Sequence, residues 1–414
     1  MLYKFILITL FVFGKCYFDF NGYSLYDIKL RNKEDLKLHK KLDEKFPNQL
    51  AFIFDRIIPG SHLQIFVSPN VSNVLNKFLS KINVSYNIYR RDWNKYINII
   101  KNERSKDFFD LNKFNSYNKI RSYLKNLSEN KSSLVFFNSL GKSYEGREIN
   151  YLKIGYQNNK EYKRKSIIVI EGGIHGREWS SISSSLYIIN KFVKNSKKYE
   201  EILKNIDIIV IPLVNPDGYE YSRYIKRFWR GNRNISLNSE CGVDINRNFP
   251  FKWCKIDSEC EENSGVYPGS EIETQNMITF FEKYKNNIKC YLSLHSYGQY
   301  ILFPWGFKKE PSAAYFRETH KLATKMKRAI QNNCNKIYTI GQVSNIIYST
   351  CGSSTDFAKS LNIKYVYTIE LSPSDNEESY KFQMPEKHIS EIGEEAFIAV
   401  LEACKQVNNE HKLI

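Results

Sequence analysis

Ile167-Ile168-Val169-Ile170-Glu171-Gly172-Gly173-Ile174-His175-Gly176-Arg177-Glu178-Trp179 is the stretch on which the reading of this chain turns. A short apolar run predicts a buried strand from Ile167 to Glu171, and the apolar spacing from Ser180 to Lys194 predicts a helix. His175 and Glu178 stand three residues apart at the turn between them, where i and i+3 side chains can converge on one metal ion. By itself H-x-x-E is a weak signal, because seven histidines among many glutamates produce it by chance. A catalytic zinc takes three protein ligands and leaves one position open, so a further ligand must come from elsewhere in the chain.

The same strand-and-helix grammar continues outward. Ile206 to Leu213, Tyr291 to His295 and Tyr365 to Leu371 read as strands; Thr274 to Lys285, Tyr315 to Asn332 and His388 to Val407 read as helices. Buried strands alternating with helices predict an α/β domain with a largely parallel or mixed sheet, whose chemistry gathers at the carboxyl ends of the central strands. His295 closes the apolar run Tyr291-Leu292-Ser293-Leu294, which makes it the candidate third ligand; a hydrogen-bonded core histidine is the competing reading. His320 and His388, in polar helical surroundings, read as surface residues. Glu370 closes Val366-Tyr367-Thr368-Ile369, and an acid there is costly to bury unless it is paired or functional. It suits a general base that takes a proton from an attacking water and later protonates a leaving amine, with a structural ion pair as the alternative. Two arginine-rich segments, Arg227-Phe228-Trp229-Arg230-Gly231-Asn232-Arg233 and Asp244-Ile245-Asn246-Arg247-Asn248, carry the side chain best suited to carboxylate and oxyanion binding. Either alone reads as a solvated basic loop.

At 414 residues the chain accommodates two folded units after a short leader. A net charge of +17 raises nucleic acid as a partner, but the lysines are dispersed among Asn, Ile and Tyr with no dense basic block, so nucleic-acid binding is set aside. Met1-Leu2-Tyr3-Lys4 followed by the apolar run Phe5 to Phe13 is too short to span a bilayer, and it predicts a signal peptide over residues 1–17. No later segment is long and apolar enough to cross a membrane, so a secreted, extracellular protein is expected. The N-x-S sequons at Asn70, Asn83, Asn126, Asn130 and Asn234 fit that compartment and predict a glycoprotein. Cys16 leaves with the signal peptide; among the other cysteines Cys241, Cys254 and Cys260 lie close enough for a small disulfide loop, and no C-x-x-C spacing supports a metal cluster. From Gly22 to Arg91 the pattern runs strand, helix, strand, strand, helix, strand, which predicts a small α+β sandwich. Residues Arg90 to Lys106 read equally as an interdomain linker or as an exposed connection open to a trypsin-like protease at Arg104 and Lys106.

The combination is specific. His175-x-x-Glu178, Asn215-Pro216-Asp217-Gly218-Tyr219, Arg227-x-Trp229-Arg230, Asp244-x-Asn246-Arg247-Asn248, Tyr267-x-Gly269, Ser270-Glu271-x-Glu273-Thr274, His295-Ser296-Tyr297-Gly298-Gln299 and Glu370-Leu371 follow one another in the order seen in zinc carboxypeptidases of the A/B type, which the chain resembles from about Phe109 to its C-terminus. The preceding sandwich resembles the activation domain of procarboxypeptidases. The resemblance implies a carboxypeptidase-like α/β domain (106–414) with a mixed central sheet flanked by helices, preceded by a ferredoxin-like activation domain with its linker (18–105). It implies one zinc ion held by His175, Glu178 and His295, with Glu370 as general base and acid and Arg230 holding the oxyanion. Asn246 and Arg247 would grip the terminal carboxylate, Tyr348 would close over it, and Arg177, Ser296 and Tyr297 would line outer subsites. The implied protein is a monomeric exopeptidase acting on peptide and protein C-termini, released from its precursor by a trypsin-like protease.

Two positions depart from the family. Where enzymes selective for basic residues resemble one another in carrying Asp, this chain has Thr355, which implies a preference for neutral aliphatic or aromatic terminal residues; the neighbouring Asp356 matches a position that is acidic throughout. Cys351 stands where a small residue is usual, and it is left either pairing with a cysteine such as Cys334 or remaining a buried thiol. The Cys241–Cys260 pair matches a family disulfide, which leaves Cys254 without an obvious partner. The alternative from another class is a catalytically silent, carboxypeptidase-like peptide-binding protein, whose mark would be loss of a ligand or of the base. All four residues are present.

Overall fold

The computed structural model describes residues 22–30, 37–46, 50–53, 62–90, 109–157, 165–235, 242–256, 262–309, 314–375 and 380–412. The expected signal peptide, the connection containing Arg104 and Lys106, and Cys241 and Cys260 lie outside them. Two compact units are present: Met1–Lys106 with Arg223–Phe228, and Asp107–Ser222 with Trp229–Ile414.

In the first unit the alternation read from the sequence becomes β1 (Ser24–Lys29), α1 (Leu38–Lys45), β2 (Leu50–Ile53), β3 (His62–Val67), α2 (Pro69–Lys81) and β4 (Tyr86–Arg90). The four strands form an antiparallel sheet in the order β2-β3-β1-β4, a ferredoxin-like arrangement. Pro69 opens α2, where its missing N–H costs nothing. Val71, Leu75 and Leu79, four apart, turn one stripe of α2 toward Tyr26, Ile28, Ile65 and Val67 of the sheet. Fully burying a leucine such as Leu75 contributes about 1.5–3 kcal/mol.

The second unit is built on eight strands: β5 (Val135–Lys142), β6 (Glu148–Ile154), β7 (Ser166–Glu171), β8 (Ile206–Ile211), β9 (Ile288–Gly298), β10 (Tyr300–Phe303), β11 (Thr339–Gln342) and β12 (Tyr365–Ser374). Their order is β11-β10-β12-β9-β7-β8-β6-β5. The pairs β12/β9, β9/β7, β7/β8 and β10/β11 are parallel, while β5/β6, β6/β8 and β10/β12 are antiparallel, which makes the sheet mixed. Every residue of β7 is buried, as expected of a parallel strand covered on both faces. The helices in chain order are α3 (Tyr117–Asn130), α4 (Trp179–Lys194), α5 (Glu200–Asn205), α6 (Pro216–Tyr224), α7 (Ile272–Tyr284), α8 (Phe316–Cys334), α9 (Val343–Ile346), α10 (Ser354–Ser360) and α11 (Ile389–Lys412). Helix α11 packs against both α4 and α8, while Phe280 and Phe281 of α7 and Phe357 of α10 join Val169, Ile211, Tyr291 and Val366 of the sheet in one core. Among the described residues no helix is long and apolar enough to cross a membrane.

Two strands extend past the ends the sequence suggests, because β9 runs on to Gly298 and β12 to Ser374. The functional consequence survives. Pairing of β9 with β7 stops at Ser293 opposite Glu171, so His295 projects beyond the end of β7 while facing Glu370 across the β9/β12 pair.

The expectation for Cys351 is corrected. Cys351 is bonded to Cys254, across 97 residues of sequence with the Cα atoms 5.6 Å apart, and Cys334 is a free thiol at the end of α8. The turn before α10 brings Cys351 against the loop after Asn248: Gly352 carbonyl oxygen accepts from Phe249 N at 2.9 Å, a contact that no local spacing reveals. Cys290 and Cys404 are also free and buried. Of the sequon asparagines, Asn70, Asn83, Asn126 and Asn130 are exposed, while Asn234 is partly buried and donates to Glu271 at 3.0 Å.

Candidate metal centre

The segment between β7 and α4 must turn within a few residues and still aim two side chains at one point. Gly173 adopts φ +63°, and a Cβ on Gly176 would lie 2.5 Å from the Gly218 backbone. Gly176 N donates to the Arg230 carbonyl at 2.9 Å. The side-chain amide of Asn215 donates to the carbonyls of Ile174 and Gly231. The Asn215-Pro216-Asp217-Gly218 motif is therefore the clamp that holds the histidine loop against the arginine loop.

His175, Glu178 and His295 come together, buried, with their ligating atoms within 4.8 Å of one another. Glu178 Oε1 is 2.6 Å from His175 Nδ1 and Glu178 Oε2 is 3.0 Å from His295 Nδ1. The outer nitrogens are engaged elsewhere. His175 Nε2 lies 3.2 Å from Asp244 Oδ1, and His295 Nε2 lies 2.9 Å from Ser293 Oγ, whose hydroxyl donates to Glu171 Oε1 at 2.6 Å. Asp244 Oδ1 and Ser293 Oγ each stand as acceptors for an Nε2–H, and both Nδ1 atoms face Glu178, the arrangement in which the Nδ1 atoms are the ligating positions. The two Nδ1 atoms are 3.2 Å apart. Two nitrogens bound to one tetrahedral zinc at about 2.05 Å would stand about 3.3 Å apart, so this donor set fits a zinc ion.

Charges around the centre are coupled. Burial opposes the charged form of His295, yet the carboxylates of Glu178, Glu370 and Glu171 outweigh it and hold this imidazole up at about 9. His175 is shifted down, by burial and then by the Arg230 cation. Burial works against the Glu178 carboxylate, but His175 and His295 overcome it and keep its pKa low. Glu370 shares the rim of this cluster; burial, with Glu178 adding and His295 and Arg230 opposing, pushes it up to about 8.

Arg230 reaches the centre from its loop, with Nη1 3.8 Å from Glu178 Oε1 and Nη2 2.9 Å from Asp244 Oδ2. Asp244 was present in the quoted motif without a role; the structure makes it the junction of the site. One carboxylate touches His175, Arg230 and the backbone N–H of Asn246 at 2.8 Å, and its Oδ2 lies 4.0 Å from Arg247 Nη1. Arg247 Nη2 meets Tyr348 Oη at 3.0 Å, which brings together two residues 101 apart in sequence. Asn246 accepts from Ser354 N at 2.8 Å and so ties this loop to the start of α10. Thr355, 3% exposed, approaches Thr368 Oγ1 at 3.5 Å. Thr368 precedes Glu370 by two residues on β12 and so shares its face of the sheet. Asp356 faces elsewhere, accepting from Gly306 N and Phe307 N, and burial lifts its carboxyl to about 6. Arg177 stacks over Phe382 at 4.3 Å, and Tyr297 packs edge-on against the same ring. Ser296 N is 3.3 Å from Glu178 Oε2. His320 is exposed and His388 pairs with Glu391 at 3.1 Å, so neither joins the centre. Glu171 and Glu262, like Asp244, are acids to which local sequence assigns no partner; the fold sets them against Ser293 and against Arg247 and Tyr348.

A zinc carboxypeptidase family profile matches residues 120–399. Carboxypeptidase B of Astacus astacus is 39% identical over 298 residues, covering 70% of this chain and 96% of that protein. Zinc carboxypeptidase A 1 of Drosophila melanogaster is 28% identical over 404 residues, covering 94% and 93%. Among solved structures, thrombin activatable fibrinolysis inhibitor aligns with a TM-score of 0.83 at 27% identity, over 94% of this chain and 99% of that one. Carboxypeptidase A from Helicoverpa armigera aligns at 0.77 and 26%, over 94% and 98%.

Proposed function

We propose, for a chain that belongs to the zinc carboxypeptidase family, that its particular activity is removal of single neutral residues from peptide C-termini by a secreted monomer made as a zymogen. That it is a metallocarboxypeptidase follows from the family; the residue roles, the preference and the activation are this proposal. The observation that carries it is the pair of Nδ1 atoms 3.2 Å apart, each against an oxygen of Glu178, with Glu370 on the adjacent strand.

His175, Glu178 and His295 would hold a zinc ion, which would supply there a Lewis acid able to make a nucleophile available at neutral pH. Glu370 takes the proton of the attacking water and passes it to the departing amine. A pKa lifted by burial suits both halves of that transfer, since the carboxylate must accept and then release within one turnover. Arg230, oriented by Asp244, receives the negative charge that develops on the carbonyl oxygen, and loss of such a donor costs roughly 10²–10³ in rate. Arg247 and Asn246 bind the free terminal carboxylate and Tyr348 covers it; an internal peptide bond offers no charge to that buried cation, which restricts cleavage to the chain end. Arg177, Ser296 and Tyr297 line the outer subsites. With Thr355 at the pocket floor no charge is offered to a basic side chain, which supports neutral aliphatic or aromatic residues.

The ferredoxin-like unit over 18–105 is read as an activation domain, cut free by a trypsin-like protease near Arg104 or Lys106, after removal of a signal peptide at 1–17. The test is release of C-terminal residues from a mixed peptide set by trypsin-treated protein, with and without chelator. Chelator-sensitive loss of single neutral residues, abolished in Glu370→Gln with zinc retained, is expected. No release by a zinc-loaded protein would favour a silent peptide-binding protein, and release by the uncut precursor at the same rate would remove the zymogen.

A further inference from the structure

Glu262 meets the two groups that the proposed reading assigns to the substrate's carboxylate. Its Oε1 accepts from Arg247 Nη2 at 2.8 Å and from Tyr348 Oη at 3.0 Å, while Arg247 Nη2 also donates to Tyr348 Oη at 3.0 Å. The three polar groups close a triangle. Nη2 donates to both oxygens of it, and the tyrosine hydroxyl is engaged as well. Arg247 is positioned from its other side: Nη1 donates to the Asn246 carbonyl at 3.0 Å and stands 4.0 Å from Asp244 Oδ2. The guanidinium is thus anchored inward through Nη1 and presents Nη2 outward, where a carboxylate is already seated. The Glu262 side chain keeps about a third of its surface accessible, against 4% for Arg247. A half-buried acid on a buried, inwardly anchored arginine is placed to be exchanged for another carboxylate while the arginine keeps its own anchors.

We propose that Glu262 is an internal competitor: its carboxylate occupies the position of the substrate's terminal carboxylate, and every substrate must displace it to reach Arg247 and Tyr348. The inference rests on the assignment of Arg247 and Tyr348 as the carboxylate-binding pair. Burial disfavours the charged form of Glu262, yet the Arg247 and Arg230 cations more than offset it and keep its pKa low, so the competitor is ionised at neutral pH. Displacement exchanges one carboxylate for another on the same donors, and the net gain on binding therefore comes from the rest of the substrate. The same exchange run backwards assists expulsion of the released amino acid, whose carboxylate Glu262 replaces.

An internal competitor acts on all ligands of the site by one factor. If Glu262 covers Arg247 in about 70–90% of molecules, apparent affinities are weakened about 3–10-fold, the reciprocal of the uncovered fraction. The test compares full-length, trypsin-activated wild type with Glu262→Gln, using a blocked dipeptide with a C-terminal neutral residue as substrate and 3-phenylpropionate as an inhibitor that carries only a carboxylate and a neutral side chain. The expected result is a fall of about 3–10-fold in KM and the same fall in Ki, with the effect on KM rather than kcat. Glu262→Ala, which also removes the hydrogen-bonding group, moves both constants in the same direction. Equality of the two factors is the signature, since loosening of the loop would not move a substrate and a small carboxylate together in the tightening direction. A rise in KM and Ki would make Glu262 a support for Arg247 and overturn the proposal, and so would no change. Calorimetric binding of 3-phenylpropionate separates this from the activity itself: tightening in a zinc-loaded variant without turnover would leave the competitor standing and remove the exopeptidase.

Discussion

Asp244→Asn is the substitution that most directly tests how this site is assembled. The side chain is 1% exposed, and its two oxygens serve four groups: His175 Nε2, the Nε and Nη2 of Arg230, and the backbone N–H of Asn246. Asparagine preserves the shape, removes the charge and places an NH2 where one of those donors points. Removing one partner of a buried ion pair leaves the other charge without compensation and costs about 3–5 kcal/mol. Loss of the group that orients a metal-bound histidine typically weakens the metal about 10–100-fold. Both losses are expected together, read as the denaturant midpoint of chelated protein and as the zinc Kd by competition with a chromophoric chelator. The pH dependence follows from the sign of the shift. Burial opposes ionisation of Asp244, but Arg230, His175 and Arg247 prevail and hold it well below the usual carboxylate range. A depressed folded-state pKa contributes stability that is fully present above the unfolded value of about 3.9 and is lost as pH falls through the folded value. The gap between wild type and variant is therefore constant from about pH 5 to 8 and closes only in acid. An Asp244→Asn protein with wild-type zinc affinity and a wild-type midpoint when chelated would refute the junction role.

Thr355→Asp is expected to convert the preference: a carboxylate about 4 Å from a substrate cation gains about 4 kcal/mol before desolvation, leaving roughly 10–100-fold in the ratio of kcat/KM for C-terminal Arg over Phe. An unchanged ratio would show that Thr355 does not face the terminal side chain. Replacing Cys254 and Cys351 together by serine opens a closure of 97 residues, and the chain-entropy relation gives a loss of up to about 4.7 kcal/mol in denaturant unfolding. Thiol counting by mass spectrometry without reduction should find Cys290, Cys334 and Cys404 free and Cys254 and Cys351 blocked; alkylation of Cys351 would sink the bridge.

What the sequence determined by itself is what short-range physics governs. Helix and strand periodicity set β7, β9, β12, α4, α8 and α11 to within a few residues, because burial of one face repeats along the chain at a fixed spacing. His175 and Glu178 were legible because three residues at a strand-to-helix turn bring them together without help from the rest of the fold. Glu370 stood out because an acid closing an apolar run conflicts with burial. Other matters lay beyond any local window. His295 sits 120 residues from His175, and its arrival at the same point depends on the register that ends β7 at Glu171 while β9 continues. Asp244 and Glu262 read as ordinary loop acids in sequence; only the closure of their loops onto Arg230, Arg247 and Tyr348 gives them their partners. Cys254 was matched to no partner, since bond formation needs two Cα atoms within reach. The 5.6 Å that brings it to Cys351 is set by packing of a loop against the start of α10. Sequence spacing reports the interactions a chain makes with itself over one or two turns; the sheet decides which distant ends meet.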